Sequence, residues 1–227
     1  MRAVLWDMDG TLVDSEKLWD IGIQEFYSRH DGVLRPEVRQ ATVGGSAESV
    51  IRIVYADLGL EPDPVQMAQT VDWLHVYVGE LFEAGLPWCD GAREMLDGLQ
   101  AAGVPMALVT NTRRDLTEQA LNSIGRHYFS FSVCGDEVPT GKPAPDVYLR
   151  AAEFLGFDPA DCLAIEDSVT GSAAAEDAGC PVLVVPKEVE VPPSLRRRHV
   201  NSLSGLSVAD LHTVHAELDD RAGERTA

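Results

Sequence analysis

Five short β-rich runs, at residues 2–6, 104–110, 129–134, 162–165 and 181–185, constrain this chain most, because most of them are apolar throughout rather than alternating. A strand takes that pattern when both its faces are covered, as in parallel sheets flanked by helices. Helical periodicity accompanies the last four runs, at about 91–102, 113–124, 145–155 and 169–178. The pattern predicts a doubly wound, Rossmann-like α/β core with a parallel sheet. Between the first run and the second about 97 residues intervene, where one helix would suffice. Something is inserted there.

Within 16–86 the periodicity is helical, at about 16–29, 46–59 and 64–84, and no convincing strand appears. The expected organisation is therefore a core of residues 1–15 and 87–227 with an inserted α-helical cap of residues 16–86. Gly85-Leu86-Pro87 punctuates the return to the core, which puts hinges near residues 15 and 86. In the cap, Trp73, Tyr77 and Leu81 recur at helical spacing and read as its packing stripe. The tail from about Ala216 reads as frayed.

Eighteen basic against thirty-seven acidic side chains give a net charge of −19, which repels nucleic acid and anionic membrane surfaces alike. No apolar run approaches the roughly 20 residues of a spanning helix, and the first apolar stretch meets Asp7 too early to be the core of an export signal. Cys89, Cys134, Cys162 and Cys180 form no Cys-x-x-Cys and no Cys/His cluster, so they read as reduced thiols of a cytoplasmic protein. The basic run Arg196-Arg197-Arg198 reads as a solvated face or a set of carboxylate partners, and His212 and His215 as surface residues.

Asp7-Met8-Asp9-Gly10-Thr11 follows directly on the first strand, so both carboxylates leave its carboxyl end, where ligands bind in open α/β sheets. Positions i and i+2 of an extended segment share a face. Two carboxylates crowded there call for a bound metal or form an acid/base pair. Thr110 ends the second strand, and Asn111 stands beside the start of the next helix, with Thr112 and Asp115 spaced like a capping box.

These motifs resemble the haloacid dehalogenase superfamily. Asp7-x-Asp9-Gly10-Thr11 matches its first motif, Thr110 its second, Lys142 in Gly141-Lys142-Pro143 its third, and Glu166-Asp167 its fourth, in the family's order along essentially the whole chain. The resemblance implies a phosphoryl-transfer enzyme using Mg²⁺. Asp7 would be the nucleophile and Asp9 the general acid and base in turn. Thr110 and Asn111 would bind phosphate, while Lys142 would neutralise both nucleophile and phosphate. Asp7, the Asp9 backbone carbonyl and Asp167 would hold the metal, with Glu166 as a further ligand or as a group orienting one.

A helical cap between the first and second motifs marks the subgroup that includes phosphoglycolate phosphatases, sugar phosphatases and β-phosphoglucomutases. Asp14-Ser15-Glu16-x-Leu18-Trp19-Asp20 and Glu166-Asp167-Ser168-Val169 resemble bacterial hexitol- and deoxyhexose-phosphate phosphatases. The mutases carry histidine where this chain has Trp19, and a phosphate-gripping arginine where it has Ser46 or Ala47. The resemblance therefore implies hydrolysis of a small phosphorylated metabolite, a sugar or polyol phosphomonoester, with a phosphomutase as the alternative. Trp19, Val43, Gly45 and Ser46 are the candidates for contact with the leaving group. A phosphoacceptor module of the receiver type would also combine an acidic pair, a phosphorylated Asp, Thr and Lys, but places its acidic pair after the first strand and the acceptor after the third, whereas here the acidic pair Glu166-Asp167 comes last.

Overall fold

The computed structural model describes residues 1–42, 47–187 and 190–223. In chain order, β1 (Ala3–Trp6) is followed by four helices, α1 (Glu16–Arg29), α2 (Pro36–Thr42), α3 (Ala47–Leu58) and α4 (Pro64–Ala84). Then come α5 (Ala92–Ala101), β2 (Met106–Val109), α6 (Arg114–Ile124), β3 (Phe131–Val133), α7 (Asp146–Leu155), β4 (Cys162–Glu166), α8 (Val169–Ala178), β5 (Val182–Val184), β6 (Arg197–His199) and α9 (Val208–Gly223). Two compact units result, one of Met1–Asp14 with Pro87–Ala227 and the other of Ser15–Leu86.

The larger unit is the expected α/β core. Its six strands run in the order β3-β2-β1-β4-β5-β6, and every pairing is parallel. Trp6 registers with Leu108 on one side and Ile165 on the other, so the residues that follow β1, β2 and β4 emerge at one level. Leu5, Val109 and Ala164 form one face of the core with Val147, Ala151 and Ala152 of α7 and Ala174, Ala175 and Ala178 of α8. Alanine on the covering helices lets them lie close to the sheet, and each larger aliphatic side chain buried beneath contributes about 1.5–3 kcal/mol.

Three features depart from the sequence reading. β6 is built from the basic run itself: Arg197 forms an ion pair with Glu176 at 2.6 Å and Arg198 one with Glu217 at 3.4 Å, so a charged edge strand escaped an apolar criterion. His215 is buried rather than on the surface, with Nε2 2.8 Å from the Ala160 carbonyl oxygen, which makes that nitrogen a donor. The tail from Ala216 does not fray within the described residues, because α9 runs to Gly223 and buries Leu211 and Leu218.

Ser15–Leu86 is a helical unit. Its longest helix, α4, starts with Asp63 accepting from Gln66 N at 2.8 Å and with Pro64 in its first turn, a favourable N-terminus. The buried stripe of α4 is Val71, Leu74, Val78 and Phe82, and Trp73, Tyr77 and Leu81 are only half-buried, one helical position away. Trp73 instead stacks on Tyr77 and leans on Phe26. Gly22 of α1 admits α4 closely, since a Cβ there would lie 2.7 Å from Leu74 Cδ1. The short helix α2 had no sequence signal, having less than two turns and burying only Thr42 fully.

Candidate active site

Asp7 and Asp9 leave the end of β1, Thr110 follows β2, Lys142 stands on the loop before α7, and Glu166 and Asp167 lie at the end of β4. The parallel register brings them together. The Lys142 ammonium donates to Asp7 Oδ1 at 2.6 Å, Glu166 Oε1 at 2.6 Å and the Val109 carbonyl at 3.0 Å. Three protons meet three acceptors, so its direction is fixed. All three side chains are nearly sealed from solvent, at 4% exposure for Lys142, 8% for Asp7 and 0% for Glu166. Burial alone would lower the lysine's pKa, but Asp7 and Glu166 outweigh it and hold the ammonium charged.

Asp7, Glu166 and Asp167 offer oxygens within 4.8 Å of one another, three carboxylates against one lysine. Burial first, then the negative charge of Glu166, pushes the Asp7 carboxyl well above the ordinary carboxylate range; burial and Asp7 do the same to Asp167. Asp7 Oδ2 is buried without a hydrogen-bond partner. Such an oxygen among crowded acids fits a hard divalent cation, and these residues pass that test. Gly10, at φ 88°, makes the crowding possible, because a Cβ there would lie 2.0 Å from Asp167 Oδ2. Glu166 is differently placed. Its Oε1 also accepts from Tyr148 Oη at 2.6 Å, and its Oε2 accepts from the backbone N–H of Asp167 at 3.2 Å and from Ser168 Oγ at 3.1 Å.

Asp9 Oδ2 accepts from Thr110 Oγ1 at 3.0 Å and from Thr112 Oγ1 at 2.7 Å. The Thr112 hydroxyl is thereby drawn to Asp9 and does not cap α6, whose flanking residue is Arg113. The expected capping box is absent for that reason. Asn111 turns its side-chain amide to the backbone of Lys142, donating from Nδ2 to the carbonyl at 3.0 Å and accepting from the N–H on Oδ1 at 2.7 Å. Gly141 packs on that clamp, since a Cβ there would lie 2.6 Å from Asn111 Oδ1.

A haloacid dehalogenase-like hydrolase family model matches residues 1–179. The chain belongs to that family. The phosphoglycolate phosphatase of Thiobacillus denitrificans is 32% identical over 82% of this chain and 83% of its own length. Hexitol phosphatase B of Escherichia coli O157:H7 is 30% identical over 92% of this chain and 96% of its own. Among solved structures, CbbY from Rhodobacter sphaeroides in complex with xylulose-(1,5)bisphosphate has a TM-score of 0.79 at 25% identity, covering 93% of this chain and 99% of that one.

The remaining predicted site residues of this haloacid dehalogenase-like chain belong to the helical unit. Trp19 lies on α1 and meets His75 edge-on, with ring centroids 5.6 Å apart. Ser46, with Val43 and Gly45, lies outside the described residues. Sequence reasoning missed Tyr148, Thr112 and Ser168. Ser168 carried a readable signal, as a serine before a helix whose side chain accepts from Gly171 N at 3.0 Å. Tyr148 carried none and Thr112 only that of a helix cap, because their partners in the site are 18 and 103 residues away.

Proposed function

We propose that this chain is a Mg²⁺-dependent phosphatase acting on a small sugar or polyol phosphomonoester through an aspartyl phosphate on Asp7. The observation that carries the reading is Asp7 itself, a buried carboxylate with one oxygen fixed by Lys142 and the other without a partner. One Asp7 oxygen attacks phosphorus while the P–O ester bond breaks, and Asp9 protonates the departing alkoxide. Asp9 then takes a proton from water as that water attacks the aspartyl phosphate, which frees phosphate and restores Asp7. The Thr112 hydroxyl holds Asp9 in place for both transfers, while the single Thr110 hydroxyl proton, given to Asp9 in the free protein, turns to the phosphate when it binds. Thr110 and the Asn111 backbone N–H receive the phosphate. Lys142 offsets the charge that gathers between nucleophile and phosphate. Asp7, the Asp9 carbonyl and Asp167 would hold Mg²⁺, which supplies further neutralisation of the phosphoryl oxygens. Glu166, with both oxygens engaged, serves as the anchor of Lys142.

Removing the metal tests part of this reading. Because Asp7 and Asp167 keep protons in the fold that the unfolded chain releases, the metal-free protein should lose stability as pH rises above about 4. Added Mg²⁺ counters the repulsion, so the rise in Tm on its addition should be larger at about pH 8 than at about pH 5.5. Chelator should abolish both the rise and the turnover. Equal shifts at the two pH values, or full turnover in chelator, would contradict it.

The leaving group is proposed to be neutral and hydroxyl-rich, contacted by Trp19 and Ser46. Residues 16–86 carry five basic against twelve acidic side chains, a net −7 that repels a second phosphate. Within that unit Arg39 pairs with Glu16 and Asp20, and Arg35 with Asp57, so neither cation is idle. Both sequence relatives named above are phosphatases, which favours hydrolysis over phosphomutase activity. A panel of phosphorylated metabolites with Mg²⁺ should release inorganic phosphate, best from hexitol or sugar monophosphates. Followed by phosphorus NMR, β-glucose 1-phosphate should give phosphate or no reaction; glucose 6-phosphate accumulating faster than phosphate would overturn the reading.

A further inference from the structure

We propose that Tyr148 is a positioning residue whose hydroxyl balances the Lys142 ammonium between Asp7 and Glu166. The inference rests on the roles assigned above to Asp7 and Lys142. A phenylalanine would fill the same volume under the sheet, so the hydroxyl needs its own account. Tyr148 is fully buried in the first turn of α7, and a buried phenol requires a partner. Its partner is Glu166 Oε1 at 2.6 Å, the same oxygen that accepts from Lys142 Nζ at 2.6 Å. The Tyr148 ring also lies beside the ammonium, with its centroid 5.2 Å from Nζ.

Lys142 lies equally far from its two carboxylates, 2.6 Å from each. Among the described residues Asp7 Oδ1 accepts from Lys142 alone, whereas Glu166 Oε1 also receives the phenol. That second donor disperses the negative charge that Glu166 turns to the lysine. Without it, Glu166 would draw the ammonium toward itself and away from the nucleophile. The backbone of Lys142 cannot follow freely, because Asn111 clamps it on both its N–H and its carbonyl. The side chain alone would then be misdirected, and a small displacement of a charge beside the reacting atoms is costly in rate.

The chain has three lysines, Lys17, Lys142 and Lys187, so ¹⁵N-lysine labelling reports the site almost without overlap. In the Mg²⁺-loaded enzyme, Y148F should lower kcat about tenfold and leave KM within about twofold, a pattern of lost transition-state stabilisation. In a K142R background the same replacement should change kcat by less than about twofold, since the group it acts through is gone. The Lys142 ammonium signal, assigned by its loss in K142R, should move in Y148F while those of Lys17 and Lys187 stay. A kcat within twofold of wild type, an equal fall in both backgrounds, or an unmoved Lys142 signal would each overturn the proposal. If Y148F fails to fold, the wild-type protein carries the test: the Tyr148 hydroxyl proton should appear as a slowly exchanging resonance with an Overhauser contact to the Lys142 ammonium, and its absence overturns the proposal. D7N, run alongside, separates the two ideas. Turnover surviving in D7N defeats the aspartyl-phosphate reading, whereas an inert D7N with an unaltered Y148F defeats only the role of Tyr148.

Discussion

Asp7→Asn should abolish turnover while leaving the fold at least as stable as before. An amide oxygen does not attack phosphorus, so kcat should fall by at least a hundredfold, the scale of a lost covalent step. Stability should move the other way. Asp7 is buried beside Glu166 and Asp167, and burial together with the charge of Glu166 disfavours its carboxylate. Asparagine removes the charge and keeps an oxygen to accept from Lys142. Such a gain on disarming a site is the expected trade between strain and activity. Thermal melts of metal-free wild type and D7N at neutral pH, together with steady-state rates, check both halves. A marked fall in Tm, or activity above a hundredth of wild type, would contradict the assignment.

Lys142→Met should damage both properties. The substitution keeps the length of the side chain but leaves Asp7 and Glu166 facing each other without the cation they share, and Glu166 has no access to water. Breaking a buried ion pair from one side costs about 3–5 kcal/mol, against the small net value of the intact pair. For a chain of this size that lowers Tm by about 10 °C. Losing a fixed positive charge at the developing phosphoryl charge should lower kcat by a further two orders of magnitude or about that. The stability deficit should shrink on acidification, because protonating the stranded carboxylates removes the repulsion. Denaturant melts at several pH values test this, and a deficit that does not depend on pH would show that the lysine packs rather than neutralises.

The contrast between these two neighbours explains what the sequence could and could not disclose. Strands buried on both faces announce themselves as unbroken apolar runs, so β1, β2, β4 and β5 and the helices covering them were legible, while the edge strand β3, with Phe131 exposed, was legible only as a short β-rich run. Because parallel register places the ends of β1, β2 and β4 at one level, the motif residues at those ends had to meet. β6 was hidden because an edge strand of Arg197, Arg198 and His199 needs no apolar pattern, only partners such as Glu176. The packing stripe of α4 was misplaced by one helical position, because large aromatic side chains outweighed Val71 and Val78 in a reading that counts size.

Within the site the limit is different in kind. Which carboxylate a lysine serves, and what satisfies the rest of that carboxylate, is decided by contacts between distant segments. Asn111 read as a phosphate contact because free backbone donors beside a helix start suit phosphate; that its side chain also holds the Lys142 backbone was not legible. Tyr148 had no motif to mark it and Thr112 only the spacing of a helix cap, although each completes the hydrogen bonding of a reacting or anchoring carboxylate.

The most direct test of the central claim is to catch the aspartyl phosphate. Enzyme with Mg²⁺ and a turned-over phosphomonoester, quenched in acid within a single turnover and digested, should yield the peptide containing Asp7 with one added phosphoryl group, and D7N should yield none. Full turnover with no phosphorylated peptide at any quench time, or a phosphoryl group on a residue other than Asp7, would contradict the account.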